Sequence, residues 1–117
     1  MALPVISLAT GHVTWVDPLT NTDTSPVTAG EITGFNAGFR DINAAGSVAG
    51  AYPITAGIAP SATSVALSTI AGLVGGKQYA VAVQAATANG VSAWSTPEFE
   101  FQAAVPLPNP PTAVSVS

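Results

Sequence analysis

Lys77-Gln78-Tyr79-Ala80-Val81-Ala82-Val83-Gln84-Ala85-Ala86 is the stretch on which the fold turns. Tyr79, Val81, Val83 and Ala85 recur at every second position, which puts them on one face of an extended strand. Ala88-Asn89-Gly90 follows, and Asn-Gly supplies the positive φ that a type I′ hairpin turn requires. Val91 to Gln102 then returns as the last strand. Pro97 removes a ladder donor, so that strand is expected to bulge or lie at an edge there. Just upstream, Leu73-Val74-Gly75-Gly76 reads as a turn.

Working outward, Glu31 to Arg40 alternates in the same way. Phe35, Ala37 and Phe39 fall on one face, with Asn36, Gly38 and Arg40 on the other. Val5 to Leu8 reads as a short first strand. His12 to Val16 is a second, stopped by Asp17-Pro18, and Leu19 to Gly30 is a loop rich in turn residues. Gly46 to Ile54 is read as a weaker edge strand carrying Val48 and Tyr52. Ser64 to Ser68 alternates again, with Val65 and Leu67 inward. Helix formers are scarce, while 11 Gly and 10 Pro are spread along the chain. Short apolar runs broken at about eight-to-twelve-residue spacing predict an all-β sandwich or barrel, here with seven strands. Pro106-Leu107-Pro108-Asn109-Pro110-Pro111 cannot hold a ladder and is expected to run as a stiff polyproline II spacer. The division is therefore a β domain over 1–104 and, over 105–117, a spacer with a strand-like tail, Thr112-Ala113-Val114-Ser115-Val116-Ser117.

Composition narrows the function. The 117 residues suffice for one core without covalent staples. With no Cys, disulfides and thiolate metal sites are excluded, and the redox compartment stays open. Two cations against six carboxylates, a net charge of −4, cannot neutralise a phosphate backbone, so no nucleic-acid partner is expected. The apolar fraction of 48% comes from Ala and Val interrupted by Thr, Ser, Gly and Pro. No stretch approaches the roughly 20 uninterrupted apolar residues of a membrane span, and no membrane partner is expected. Nor does the start, Met1-Ala2-Leu3-Pro4, show a basic region or apolar run of a signal peptide. Charged residues make up only 7%, against about a quarter in an average soluble domain. A free protein normally covers itself with mixed charge, so this surface needs an explanation.

Three patches resemble the fibronectin type III family of immunoglobulin-like domains. Val13-Thr14-Trp15-Val16-Asp17-Pro18 is similar to its second strand, with a core Trp and a Pro three residues later. Leu73 to Ala85 resembles its E–F corner and F strand, where a Leu precedes a Tyr by six residues. Asn89-Gly90-Val91-Ser92-Ala93-Trp94-Ser95 resembles its F–G turn and the Gly-x-Ser-x-x-Ser run after it. The likeness covers about residues 4–103. Phe35 departs from it, standing where the family usually has Tyr, and 46–63 follows no family pattern. The resemblance implies a seven-stranded antiparallel β-sandwich with a Pro-rich C-terminal extension. Its core would hold Trp15, Phe35, Leu67, Leu73, Tyr79, Val81 and Val83. Trp15 would be the plug between sheets, at a cost of about 3–5 kcal/mol if cut to Ala. Tyr79 would be a corner tyrosine whose hydroxyl bonds backbone near Leu73, worth about 1 kcal/mol.

Candidate interaction residues are Trp94 and the tail residues Thr112, Ala113, Val114, Ser115 and Val116. Trp94 has two readings, a cover for the sheet or an exposed contact anchor. The tail likewise has two, a frayed terminus or a strand that pairs with a sheet edge, its own or a neighbour's. Pro110 to Val116 resembles the opening strand of another such domain. For chemistry little is offered. His12 is the lone His, and Asp17, Asp23, Glu31, Asp41, Glu98 and Glu100 are scattered. Asp17 with Asp23 makes a thin case for Ca²⁺. Glu98 and Glu100 share a strand face, for which solvation is the plain reading. No nucleophile elbow or phosphate loop is present, so no enzyme, catalytic residue, cofactor, metal or small-molecule substrate is expected.

An uncharged Ala/Thr/Val/Gly-rich domain of this kind resembles those carried by tailed-bacteriophage virions. That implies a capsid decoration or minor capsid or tail protein, made in the host cytoplasm and residing in the virion. Its partners would be the major capsid or tail protein and copies of itself. The alternative is an extracellular spacer or adhesion module of a secreted bacterial carbohydrate-active or surface protein.

Overall fold

A computed structural model describes residues 3–23, 25–108, 110–113 and 115–117. The chain forms β1 (Val5–Ile6), β2 (His12–Thr14), β3 (Ile32–Asp41), β4 (Ile54–Ile58), β5 (Ser64–Ala66), β6 (Gln78–Thr87), β7 (Gly90–Val91) and β8 (Phe99–Ala103). One 3-10 turn, Leu67–Thr69, is its helical content among the described residues. The fold is all-β. Its larger sheet runs β1-β8-β6-β3-β4, with β7 also on β6, and the smaller is the pair β2-β5.

The long alternating runs form the centre of the larger sheet. β3 and β6 pair antiparallel, setting Phe35 opposite Ala85, Ala37 opposite Val83 and Phe39 opposite Val81. β8 continues the same face, with Phe101 opposite Tyr79. Phe39, Tyr79 and Phe101 are buried there, and Phe101 meets the other two rings at 6.4 and 5.9 Å. Val13, Val65 and Leu67 from the smaller sheet and its turn pack against this cluster. Phe39 and Tyr79 are its largest fully buried side chains, and closing over such rings is the main stabilising term.

Three expectations are corrected. Among the described residues there are eight strands in two sheets, not seven, because the final strand is split: the ladder leaves β6 after Val91 and resumes at Phe99, with a cis Thr96–Pro97 bond between. The weak strand is Ile54–Ile58 rather than Gly46–Ile54; Ala44 to Ala51 is a run of turns, with Gly46 and Gly50 at positive φ. Finally, the pairing is not wholly antiparallel, since β1 lies parallel to β8. Gly11 allows this: a Cβ there would come within 2.5 Å of Ile6 Cγ2 and 2.6 Å of the Ser7 carbonyl, so only glycine lets the chain cross tightly from β1 to β2.

At its far end β8 is tied down. Gly76 N–H donates to the Ala103 carbonyl and Ala104 N–H to the Ile6 carbonyl. Gly75 lets Ala104 and Pro106 pass close, at 2.7 and 2.9 Å from where its Cβ would be. Beyond Ala104 the described residues form no strand. The molecule measures 75 × 32 × 23 Å, with a radius of gyration of 18.0 Å against about 13 Å for a compact chain of this length.

Candidate functional site

The chain itself covers the part of the larger sheet's outer face that lies over β3 and β6. Gly38, Ala80 and Ala82 leave a shallow floor, and Trp94 and Tyr52 lie over it edge to face, their centroids 4.7 Å apart. A Cβ on Gly38 would stand 2.7 Å from Tyr52 and 2.9 Å from Trp94 Cη2, so the missing side chain makes the seat. Beside the rings, Arg40 donates from Nε (2.9 Å) and Nη2 (2.6 Å) to the two oxygens of Glu98, and from Nη1 to Ser47. Tyr52 donates to Glu98 at 2.7 Å. The Arg40 hydrogen bonds outweigh partial burial and hold the Glu98 carboxyl below its ordinary pKa. Burial, then the bond to Glu98, pushes the Tyr52 phenol up. Glu98 is thus a pinned ion-pair partner, 13% exposed, and not a solvated carboxylate; Glu100 is exposed.

Between β7 and β8 the β6 edge is mended by serine. Ser92 N–H donates to the Ala85 carbonyl while its Oγ accepts from Ala85 N–H at 2.9 Å. Ser95 repeats the arrangement on Val83, its Oγ accepting at 3.0 Å. The two hydroxyls of the Ser-x-x-Ser spacing stand in for carbonyls the detour carries away. Further in, Asn36 donates to Gln84 and Gln84 to the Ser92 carbonyl, so the polar residues of this face are spent on one another.

The other flank is open. β2 has β5 on one side and no strand on the other among the described residues. Between β2 and β8 runs a groove of two hollows, about 430 and 220 Å³, which share Val13, Thr14, Val81 and Phe99. Phe99 stands opposite Val81 on the inner face, yet it is 57% exposed because the two-stranded sheet does not reach over it.

The singled-out residues fall as follows. Phe35, Leu67, Tyr79 and Val81 are buried, and Leu73 and Val83 are partly buried against them. Val74 N–H donates to the Tyr79 hydroxyl at 2.8 Å, one residue past Leu73. Trp15 is half-buried at the groove's rim, tilted on Phe35 at 5.3 Å, because a two-stranded sheet leaves one side of it uncovered. Its Nε1, like Asp17 Oδ1, is buried with no partner among the described residues. Trp94 is half-buried in the cap. Thr112, Ala113, Ser115 and Val116 are exposed; Val114 lies outside the described residues. His12 is exposed on β2, its Nδ1 beside the Thr10 carbonyl. Asp23 accepts from Ser25 N–H and Oγ, which lowers its pKa. No three of His, Asp or Glu come together among the described residues. Sequence reasoning missed the Arg40–Glu98–Tyr52 cluster. Its signal was an Arg within an alternating strand in a chain with only two cations.

The all-β architecture with its curled sheet is compatible with an immunoglobulin-like domain. Comparison with protein-family models, curated proteins and solved structures finds no match.

Proposed function

We propose that this domain is a non-enzymatic structural subunit that acts by packing against other proteins in a particle. The finer reading is a decoration or minor capsid or tail protein of a tailed-bacteriophage virion, bound to the major capsid or tail protein. The observation that carries the proposal is the surface. A chain with only 7% charged residues leaves apolar side chains uncovered, including Val16 and Leu19 (90% and 81% exposed), Phe99 and Leu107. Such a surface is costly in water and sensible under neighbouring subunits. The resemblance to fibronectin type III domains of virion proteins supplies the particle.

The test is co-sedimentation with tailed-phage particles specified by the genome that encodes the chain. The chain is expected to pellet at a fixed copy ratio and to stay bound in high salt, because apolar contacts are not screened. A monomer that stays in the supernatant contradicts the proposal and fits a secreted spacer or adhesion module.

A further inference from the structure

We infer that the free edge of β2 is an acceptor for the C-terminal segment 112–117 of a second copy of this chain. The inference deepens the reading of the domain as an assembly subunit and rests on it.

The register shows what the edge offers. Leu67 N–H donates to Gly11 and Trp15 N–H to Thr63, so the odd-numbered residues of β2 bond towards β5. In an antiparallel pair the alternate residues then turn their N–H and C=O outward, here His12, Thr14 and Val16. Among the described residues β2 pairs with β5 alone, so these outward N–H groups meet no second strand. Natural edges are blunted with Lys, Pro or a bulge. From His12 to Val16 this one carries no Asp, Glu, Lys, Arg or Pro; Asp17 and Pro18 follow it. Alongside lies the groove whose floor includes Val81 and Phe99. An added strand would close the ladder and cover that floor in one step.

The tail has the matching form. Val114 and Val116 alternate with Ser115 and Ser117, so one face suits the apolar floor and the other suits water. Neither 112–117 nor 12–16 contains Asp, Glu, Lys or Arg, so no such side chain stands between the paired segments. The spacer has Pro at 106, 108, 110 and 111, and the described residues from 105 onward are all exposed rather than packed on their own domain. That favours a neighbour's edge over the chain's own. Ala113, at φ 57°, would move into the extended region on pairing.

Absence of cysteine gives a clean background for trapping. Full-length Thr14→Cys and Ser115→Cys chains, mixed and mildly oxidised, are expected to form a mixed disulfide. Ser61→Cys, on an exposed loop, replaces Thr14→Cys as the control and is expected to give none. Separately, Thr14→Pro removes an outward N–H that the fold does not use and is expected to shift the chain from multiples of 11.5 kDa to the single chain. The inference is overturned if the control couples equally, if no mixed disulfide forms, or if the doubly substituted chain closes on itself at high dilution. Particle binding that survives without the disulfide rejects the strand exchange alone. A mixed disulfide without particle binding rejects the virion reading alone.

Discussion

Beside β6 the ladder breaks between Val91 and Phe99, and Ser92 and Ser95 mend it; beside β2 one side has β5 and the other has no strand among the described residues. Both are gaps in pairing on one small molecule. On the first flank the detour also carries Trp94 and Glu98 across the sheet, so that the outer face has its own small covering. On the second an apolar floor stays open. The difference teaches where the fold is self-sufficient. The bare edge of β2 is the place where the proposed strand exchange would add its ladder.

The comparison is broken most severely at Gly38. Gly38→Val drives a side chain into Tyr52 and Trp94, and a loss of about 2–3 kcal/mol is expected in urea unfolding, with a red shift of Trp94 emission in a Trp15→Phe background. Next, Ser92→Ala with Ser95→Ala leaves Ala85 and Val83 N–H without acceptors. About 1–3 kcal/mol should be lost for the pair, and amide exchange at both residues should accelerate.

Glu98→Gln sharpens the same flank through pH. The folded Glu98 pKa lies below the unfolded value of 4.5, so its contribution is complete above 4.5 and is lost as pH falls through the lower folded value. The wild type should therefore lose melting temperature on acidification below pH 4.5, and Glu98→Gln should show a flatter acid limb by about 1 kcal/mol. Thr14→Pro on the open flank should cost the isolated domain least, under about 0.5 kcal/mol by urea unfolding, because the N–H it removes bonds nothing in the fold.

Much of this was legible in the chain and some was not. The two long alternations, Glu31–Arg40 and Lys77–Ala86, carried the all-β reading, since period two with bulky alternate residues has one structural meaning. Pro97 marked the break in the last strand, but not that the break would divide it into β7 and β8. The segment 46–58 misled because Val48 and Tyr52 are its larger side chains. In the fold Val48 is exposed in a turn and Tyr52 caps the outer face, while the pairing belongs to Ile54, Ala56 and Ile58. Parallel pairing of β1 with β8 and the Arg40–Glu98 contact join residues far apart in the chain, and no local pattern encodes either.

Amide hydrogen exchange at increasing protein concentration reads pairing at the β2 edge residue by residue. His12, Thr14 and Val16 amides are expected to exchange freely in dilute solution and to become protected as copies pair, while Val83 and Ala85, already bonded to serine, stay protected throughout. Unchanged exchange at His12, Thr14 and Val16 across the concentration range would contradict it.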